Sequence, residues 1–430
     1  MKRYDSYKDS GIEWIGDIPS NWVSTKLNRY VFFQEGPGLR TFQFTDEGTK
    51  VICVTNITEK GIDFTYKKFI STEEYLEKYQ HFTVEKGDLL LSSSGNSWGK
   101  VCEYKDDEKV MLNTSTIRLN TLDKNRFYNN LIKHILKSEL VRKQLEILMT
   151  GSCQPNFGPS HLNQLIIPVP PLIEQEQIVS YLDTKTSLID SLIEKTQLKI
   201  ELLKEKRTSL INEVVTKGLN PNVEMKDSGV EWIGEIPSHW ETKKLKYLSE
   251  IIYGISPPET TYNDEGVGTL LINGPVEYSK TDFGYTRSLK WTTEPNKFTT
   301  KGSLLFCLRG STTGRMNITH TEVSIGRGVC SINSNENQWF LIYSMFSVRR
   351  WIQDQISGST FPSVTSDDVN NYVICSPPIN EQQQIVEYLD EQTQKIDKII
   401  SIEEKRIELL KEYRQSLISE VVTGKRKVVE

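Results

Sequence analysis

The sequence predicts an α+β protein in which two mixed α/β domains alternate with two long helices, the pattern being an internal two-fold repeat. Three observations carry that expectation. The segment KDSGIEWIGDIPSNW (8–22) returns as KDSGVEWIGEIPSHW (226–240), with twelve of fifteen positions identical. Residues 170–216 return without gaps at 377–423, with 28 identities in 47 positions. Between these repeated ends the copies agree only sparsely. Repeats of this kind take precedence over any local reading. The expected blocks are a first domain at 1–168, a central long helix and linker at 169–224, a second domain at 225–376 and a C-terminal long helix at 377–430. A chain of 430 residues accommodates two to four such units at roughly 100–200 residues each.

The paired arms come first in each copy. They hold Trp14, Trp22, Trp232 and Trp240. Indoles can stack on bases, but residues that read different sequences should differ between copies, and these do not. A structural arm closing each domain is the expectation. The following regions mix short alternating stretches, such as VICVTNI (51–57) and GVCSIN (328–333), with helical ones, such as YNNLIKHILKSELVRKQLEIL (128–148) and QWFLIYSMFSVRRWIQDQI (338–356). Within them a skeleton survives. GDLLLSSSGNSWGK (87–100) matches GSLLFCLRGSTTGR (302–315), and GSCQPNF (151–157) matches GSTFPSV (358–364).

That skeleton reads as a buried strand leaving the core at a glycine-rich turn. A phosphate-binding Walker loop is excluded. Four residues separate its glycines and Ser or Thr follows its Lys, whereas here three residues intervene and Val101 or Met316 follows. The turn side chains form hydrogen bonds and differ between copies, which suits phosphates and base edges. Candidate DNA contacts are Ser92, Ser93, Ser94, Asn96, Ser97, Lys100, Gln154 and Asn156 in the first copy. In the second they are Arg309, Ser311, Thr312, Thr313, Arg315, Arg327 and Thr360.

The long helices start after Pro170-Pro171 and Pro377-Pro378. Apolar residues recur at 3/4 spacing for over five heptads, as in a coiled coil. The seam runs through Val179, Leu182, Ile189, Ile193, Ile200, Leu203, Leu210 and Val214. In the second helix it runs through Val386, Leu389, Ile396, Ile400, Ile407, Leu410, Leu417 and Val421. Even its odd members recur, Thr186 as Thr393 and Arg207 as Arg414. The two helices are therefore expected to pack on each other. A second apolar face (Ile178, Leu192, Leu202, Ile211, Val215 and Ile385, Ile399, Leu409, Ile418, Val422) is expected to bind a partner subunit.

Several functions are excluded. No run approaches the ~20 apolar residues of a membrane span, and the N-terminus lacks a secretory leader. Six scattered cysteines and five histidines give no metal spacing, so no metal site is expected. No Pro-Pro pair carries the Asn/Asp-Pro-Pro-aromatic motif of a DNA methyltransferase. No Pro-Asp dipeptide of the usual restriction-nuclease motif occurs. No catalytic residue is assigned.

The duplicated arm, the duplicated PPLIEQEQIVSYLD / PPINEQQQIVEYLD helix start and the G-x-L-L…G-K/R skeleton resemble the specificity subunit of type I restriction-modification systems, from about residue 4 to 424. The resemblance implies that each variable region is a target-recognition domain reading half of a bipartite, asymmetric site on double-stranded DNA. It implies that the helices run antiparallel and set the spacing between half-sites. Two modification subunits would dock and bring S-adenosylmethionine, with motor-nuclease subunits joining for restriction. This chain would bind no cofactor, would catalyse nothing and would act in the cytoplasm, away from membranes. A non-catalytic coiled-coil scaffold or adaptor is the alternative. The net charge of −5, from 52 basic and 57 acidic residues, gives no basic domain. The chain is therefore expected to read DNA while partners supply much of the grip.

Overall fold

The computed structural model describes residues 3–149, 156–281, 283–310, 312–356 and 363–428. They form two compact units, and each combines pieces of both repeats. One comprises residues 1–197 with 404–430, the other residues 198–403. The long helices α3 (Leu172–Lys217) and α5 (Ile379–Val422) each give one half to either unit. At 1.5 Å per residue they are about 69 and 66 Å long.

The first unit contains a four-stranded antiparallel sheet. Its strand order is Val101–Glu103, Leu89–Ser92, Thr116–Thr121, Val31–Glu35. A second, five-stranded sheet is mixed, with Thr49–Ile52 parallel to Val110–Leu112. Helices α1 (Asn129–Leu136) and α2 (Glu139–Leu148) pack Leu131, Ile132, Ile135 and Leu145 into the main core. The second unit repeats the plan. Its four-stranded sheet runs Ser249–Tyr253, Val329–Ser334, Leu304–Cys307, Met316–Ile318, and α4 (Gln338–Ile356) replaces the helix pair. Its mixed sheet again has one parallel pair, Thr269–Ile272 with Val323–Ile325.

The arms close each domain. Tyr7–Asp9 pairs with Asp17–Pro19, and Met225–Asp227 pairs with Glu235–Pro237. Trp22 and Trp240 are fully buried, while Trp14 is half exposed. The arms also grip the helix starts. His239 and the Trp240 indole N–H contact Glu381 at 2.8 and 2.9 Å, and Tyr4 and Asn21 donate to Glu174. Both long helices end in a left-handed glycine, Gly218 (φ +74°) and Gly424 (φ +72°), a position where other residues are strained.

All sixteen seam residues are buried or half-buried. The polar ones have specific partners. Thr186 and Thr393 donate to the carbonyls of Leu182 and Leu389 at 2.7 Å, so their hydroxyls cost little when buried. Arg414 reaches Asp190 at 2.8 Å in the first unit, and Arg207 reaches Asp397 at 3.1 Å in the second. In the second unit Lys199 also pairs with Glu403. The partner number falls as the α3 number rises, so the helices run antiparallel. The second apolar face divides. Ile178, Ile211, Val215, Ile385, Ile418 and Val422 are buried in the domain cores. Leu192, Leu202, Ile399 and Leu409 remain exposed, at 41–55%. The exposed part of this face is thus confined to the middle of the helices, because their ends are covered by the domains themselves.

A clasp locks α1 to α3. The His134 ring stands 2.9 Å from Asp183, and Tyr343 donates to the equivalent Asp390 at 2.6 Å. Burial holds the His134 imidazole below its ordinary value, and the hydrogen bond to it lowers the Asp183 carboxyl. The native state therefore resists a proton that the unfolded chain accepts near pH 6.5. Stability should be full above that pH and fall below it, by up to about 1.4 kcal/mol per pH unit. His134→Gln keeps a donor for Asp183 but cannot titrate. Urea melts between pH 7 and 5 should show a flatter dependence in this variant than in the parent.

Candidate nucleic-acid interface

In each unit the central strands of the antiparallel sheet end in a turn bracketed by two glycines. Gly95 (φ +65°) and Gly99 (φ +79°) shape the first turn, and Gly310 (φ +89°) and Gly314 (φ +84°) the second. The backbone hydrogen bonds coincide. Ser92 N–H donates to Lys100 O at 2.9 Å, and Cys307 N–H to Arg315 O at 2.8 Å. Gly99 N–H donates to Ser92 O at 2.8 Å, and Gly314 N–H to Cys307 O at 2.9 Å.

Two further segments buttress each turn. Asn156 bridges Ser94, and Ser363 bridges Arg309 in the same antiparallel manner. The next residues, Phe157 and Val364, are buried, and their N–H groups donate to Ser93 O at 3.1 Å and Leu308 O at 2.9 Å. On the other side Ser93 N–H donates to Ser115 O and Leu308 N–H to Gly328 O, both at 2.9 Å. This last contact carries Arg327 beside the second turn. Close backbone approaches recur as well. A Cβ on Gly36 would lie 2.4 Å from Asn113 O, and one on Gly254 would lie 2.2 Å from Gly326 O.

On this common backbone the two units display different groups. The first brings Ser94, Asn96, Ser97, Lys100 and Asn156 to one edge, with Asn96 and Asn156 exposed. The second offers the exposed Arg309 and Arg327 beside half-buried Thr312. Four of the expected contacts face inward. Ser92 and Ser93 are fully buried, the Ser92 hydroxyl 2.9 Å from that of Ser97 and the Ser93 hydroxyl donating to Ser115 O at 3.1 Å. Thr313 is buried and donates to Gly310 O at 2.7 Å. Arg315 donates to Ser279 O at 2.9 Å with its guanidinium over the Tyr278 ring. These side chains hold the turns together and are removed from the set of contacts. Their hydroxyls satisfy the turn backbone, a use that composition alone does not distinguish from ligand binding. Gln154, Ser311 and Thr360 lie outside the described residues.

A groove of about 990 Å³ adjoins the first turn. Trp98, Gly99 and Lys100 form one wall, and α1, α2 and parts of α3 and α5 form the other. Lys60, Lys105, Lys133, Lys137, Arg142 and Lys411 line it. These cations come from five separate stretches and follow no motif, so sequence spacing could not group them. No cluster of His, Cys, Asp or Glu among the described residues could hold a metal ion. No described helix is long and apolar enough to cross a membrane.

Comparison with known proteins gives one answer. Residues 19–202 and 237–412 match the family model described as the type I restriction modification DNA specificity domain. The chain is 28% identical, over 96% of both lengths, to the putative type I restriction enzyme MjaX specificity subunit of Methanocaldococcus jannaschii. It is 24% identical, over 96% of its own length and 94% of the relative, to the MjaVIII specificity subunit of the same organism. In fold it resembles a chain from a structural study of complex assembly and conformational transition in the type I R-M system (TM-score 0.75, 19% identity, 95% and 99% of the two chains covered). It also resembles the HsdS subunit from Thermoanaerobacter tengcongensis (TM-score 0.55, 19% identity, 95% and 98% covered). With that domain matched twice, over most of its length, the chain belongs to the type I restriction-modification DNA specificity family.

Proposed function

We propose that this chain is the non-catalytic reading subunit of a type I restriction-modification assembly in the cytoplasm. The observation that carries the reading is the pair of superposable turns with unlike side chains. A backbone held by identical hydrogen bonds in both units, but carrying Asn and Ser in one and Arg in the other, suits two readers of two different half-sites. Asn is suited to pair with adenine and Arg with guanine in the major groove. The candidate contacts are Ser94, Asn96, Ser97, Lys100 and Asn156 for one half-site and Arg309, Thr312 and Arg327 for the other. Because the half-sites differ, the whole site is asymmetric.

The helix pair supports the spacing role. Each helix is about 65–70 Å long, the scale of two turns of duplex at 34–36 Å each. Two modification subunits would use the matching exposed patches centred on Leu202 and Leu409, which stand at equivalent places in the two helices. S-adenosylmethionine would be held by those subunits, and motor-nuclease subunits would join the same assembly.

Two experiments test this reading. Exchanging residues 23–165 for those of a relative should change one half of the recognised site and leave the other intact. A change in both halves would overturn the modular reading. Leu202→Lys with Leu409→Lys should weaken capture of the modification subunit at least tenfold in a titration while the melting curve stays within about 1 kcal/mol of the parent, as expected of exposed positions. A protein that unfolds would show instead that these side chains serve the core.

A further inference from the structure

The groove beside the first turn differs in character from the pocket of about 500 Å³ in the second unit, where Ser347 and Trp351 stand at the positions of Ser138 and Arg142 and Lys217 is the one lysine among the described lining residues, and the difference is traceable to single residues. In the first unit Lys60 pairs with Glu194, Lys133 with Asp183, Lys137 with Glu59 and Arg414 with Asp190. Lys100, Lys105 and Lys411 also line the groove and make no ion pair with a described residue. In the second unit aromatic rings stand beside the equivalent positions. The aspartate clasps align His134 with Tyr343, which places Phe346 where Lys137 stands. Phe283 packs on Phe346 with ring centroids 4.1 Å apart and lies 4.5 Å from the guanidinium of Arg207, the counterpart of Arg414. The counterpart of Lys100 is the inward-turned Arg315. The counterpart of Lys105 is His320, which contacts Thr286 at 2.9 Å and Ser288 at 3.1 Å.

We propose that this groove is a phosphodiester-backbone subsite, present in the first unit alone, that holds DNA flanking the first half-site. The inference rests on the DNA-reading assignment above. Of the five carboxylates in the lining, Glu59, Asp183, Asp190 and Glu194 are held in those ion pairs and Glu103 makes none with a described residue, so the three uncommitted ammonium groups leave an excess of positive charge that suits a polyanion. Lys100 belongs both to the turn and to the groove, so one bound strand can run from one to the other. A partner subunit present in two equivalent copies would need the same groove twice, and the second unit sets Phe283 and Phe346 where the first offers groove cations. The two halves of an asymmetric DNA site carry no such requirement.

The test uses the full chain assembled with its modification subunits. A fluorescent duplex carrying the recognised site, and a scrambled duplex of equal length, are titrated across a potassium chloride series. Lys105→Gln combined with Lys411→Gln should reduce the slope of log affinity against log salt by about 2, since each phosphate contact contributes about 0.9. The loss should be equal on both duplexes, because phosphates carry no sequence. Lys204→Gln, at the position equivalent to Lys411, should leave the slope unchanged. An unchanged slope in the double variant overturns the subsite. Weakened capture of the modification subunit with an unchanged slope overturns it too, assigning the groove to an acidic protein segment. Failure of the parent assembly to bind either duplex would instead refute the DNA-reading function itself.

Discussion

A helix of 46 residues with an apolar stripe along its length is not stable alone in water; most of its stability must come from packing. Here the stripe is covered in two ways. Each helix end docks on a domain, and the seam is covered by the other helix. Leu182 and Leu389, fully buried, anchor the starts, while Leu417, Ile418 and Val421 bring the end of α5 into the core of the first domain. Ile211, Val214 and Val215 do the same for α3 in the second. Each compact unit is therefore completed by a half-helix encoded in the other repeat. The Arg–Asp pairs fix register, since a slip along the seam would strand both arginines among apolar residues.

That constraint explains why the repeated and unrepeated parts fall where they do. The arms, helix starts and seams must match twice, because each half-helix meets both an arm and a partner helix. Glu174 and Glu381 receive arm donors at equivalent points, and Gly218 and Gly424 end the helices in the same conformation. The turns have no such obligation. Once Phe157 or Val364 is buried and the backbone bonds are made, the outward side chains are free to differ. Framework and reading surface are thus separated within a few residues of each other.

The long helices, their boundaries and their seam were legible because 3/4 periodicity, Pro-Pro starts and glycine stops are local signals. So was the glycine-bracketed turn, because two copies exposed its skeleton. The orientation of its side chains was not. Ser92 and Ser94 look alike in sequence, yet one points into the sheet and one lies at its edge, a distinction set by strand register. Thr313 and Arg315 were lost to hydrogen bonds, the first to the nearby Gly310 carbonyl and the second to the distant Ser279 carbonyl. The second apolar face read as continuous, but its ends are core, since periodicity marks what is apolar and not what covers it. The lysine groove assembles residues 60 to 411 and lay beyond any local pattern.

On the proposed function, one chain reads two unlike half-sites at a fixed separation. Mapping methylated adenines across the genome of cells expressing this chain with its modification subunit, and of cells lacking this chain, tests it most directly. One bipartite, non-palindromic motif with a constant spacer, present only when the chain is expressed, is the expected result. A palindromic or continuous motif, or methylation that persists without the chain, would contradict it.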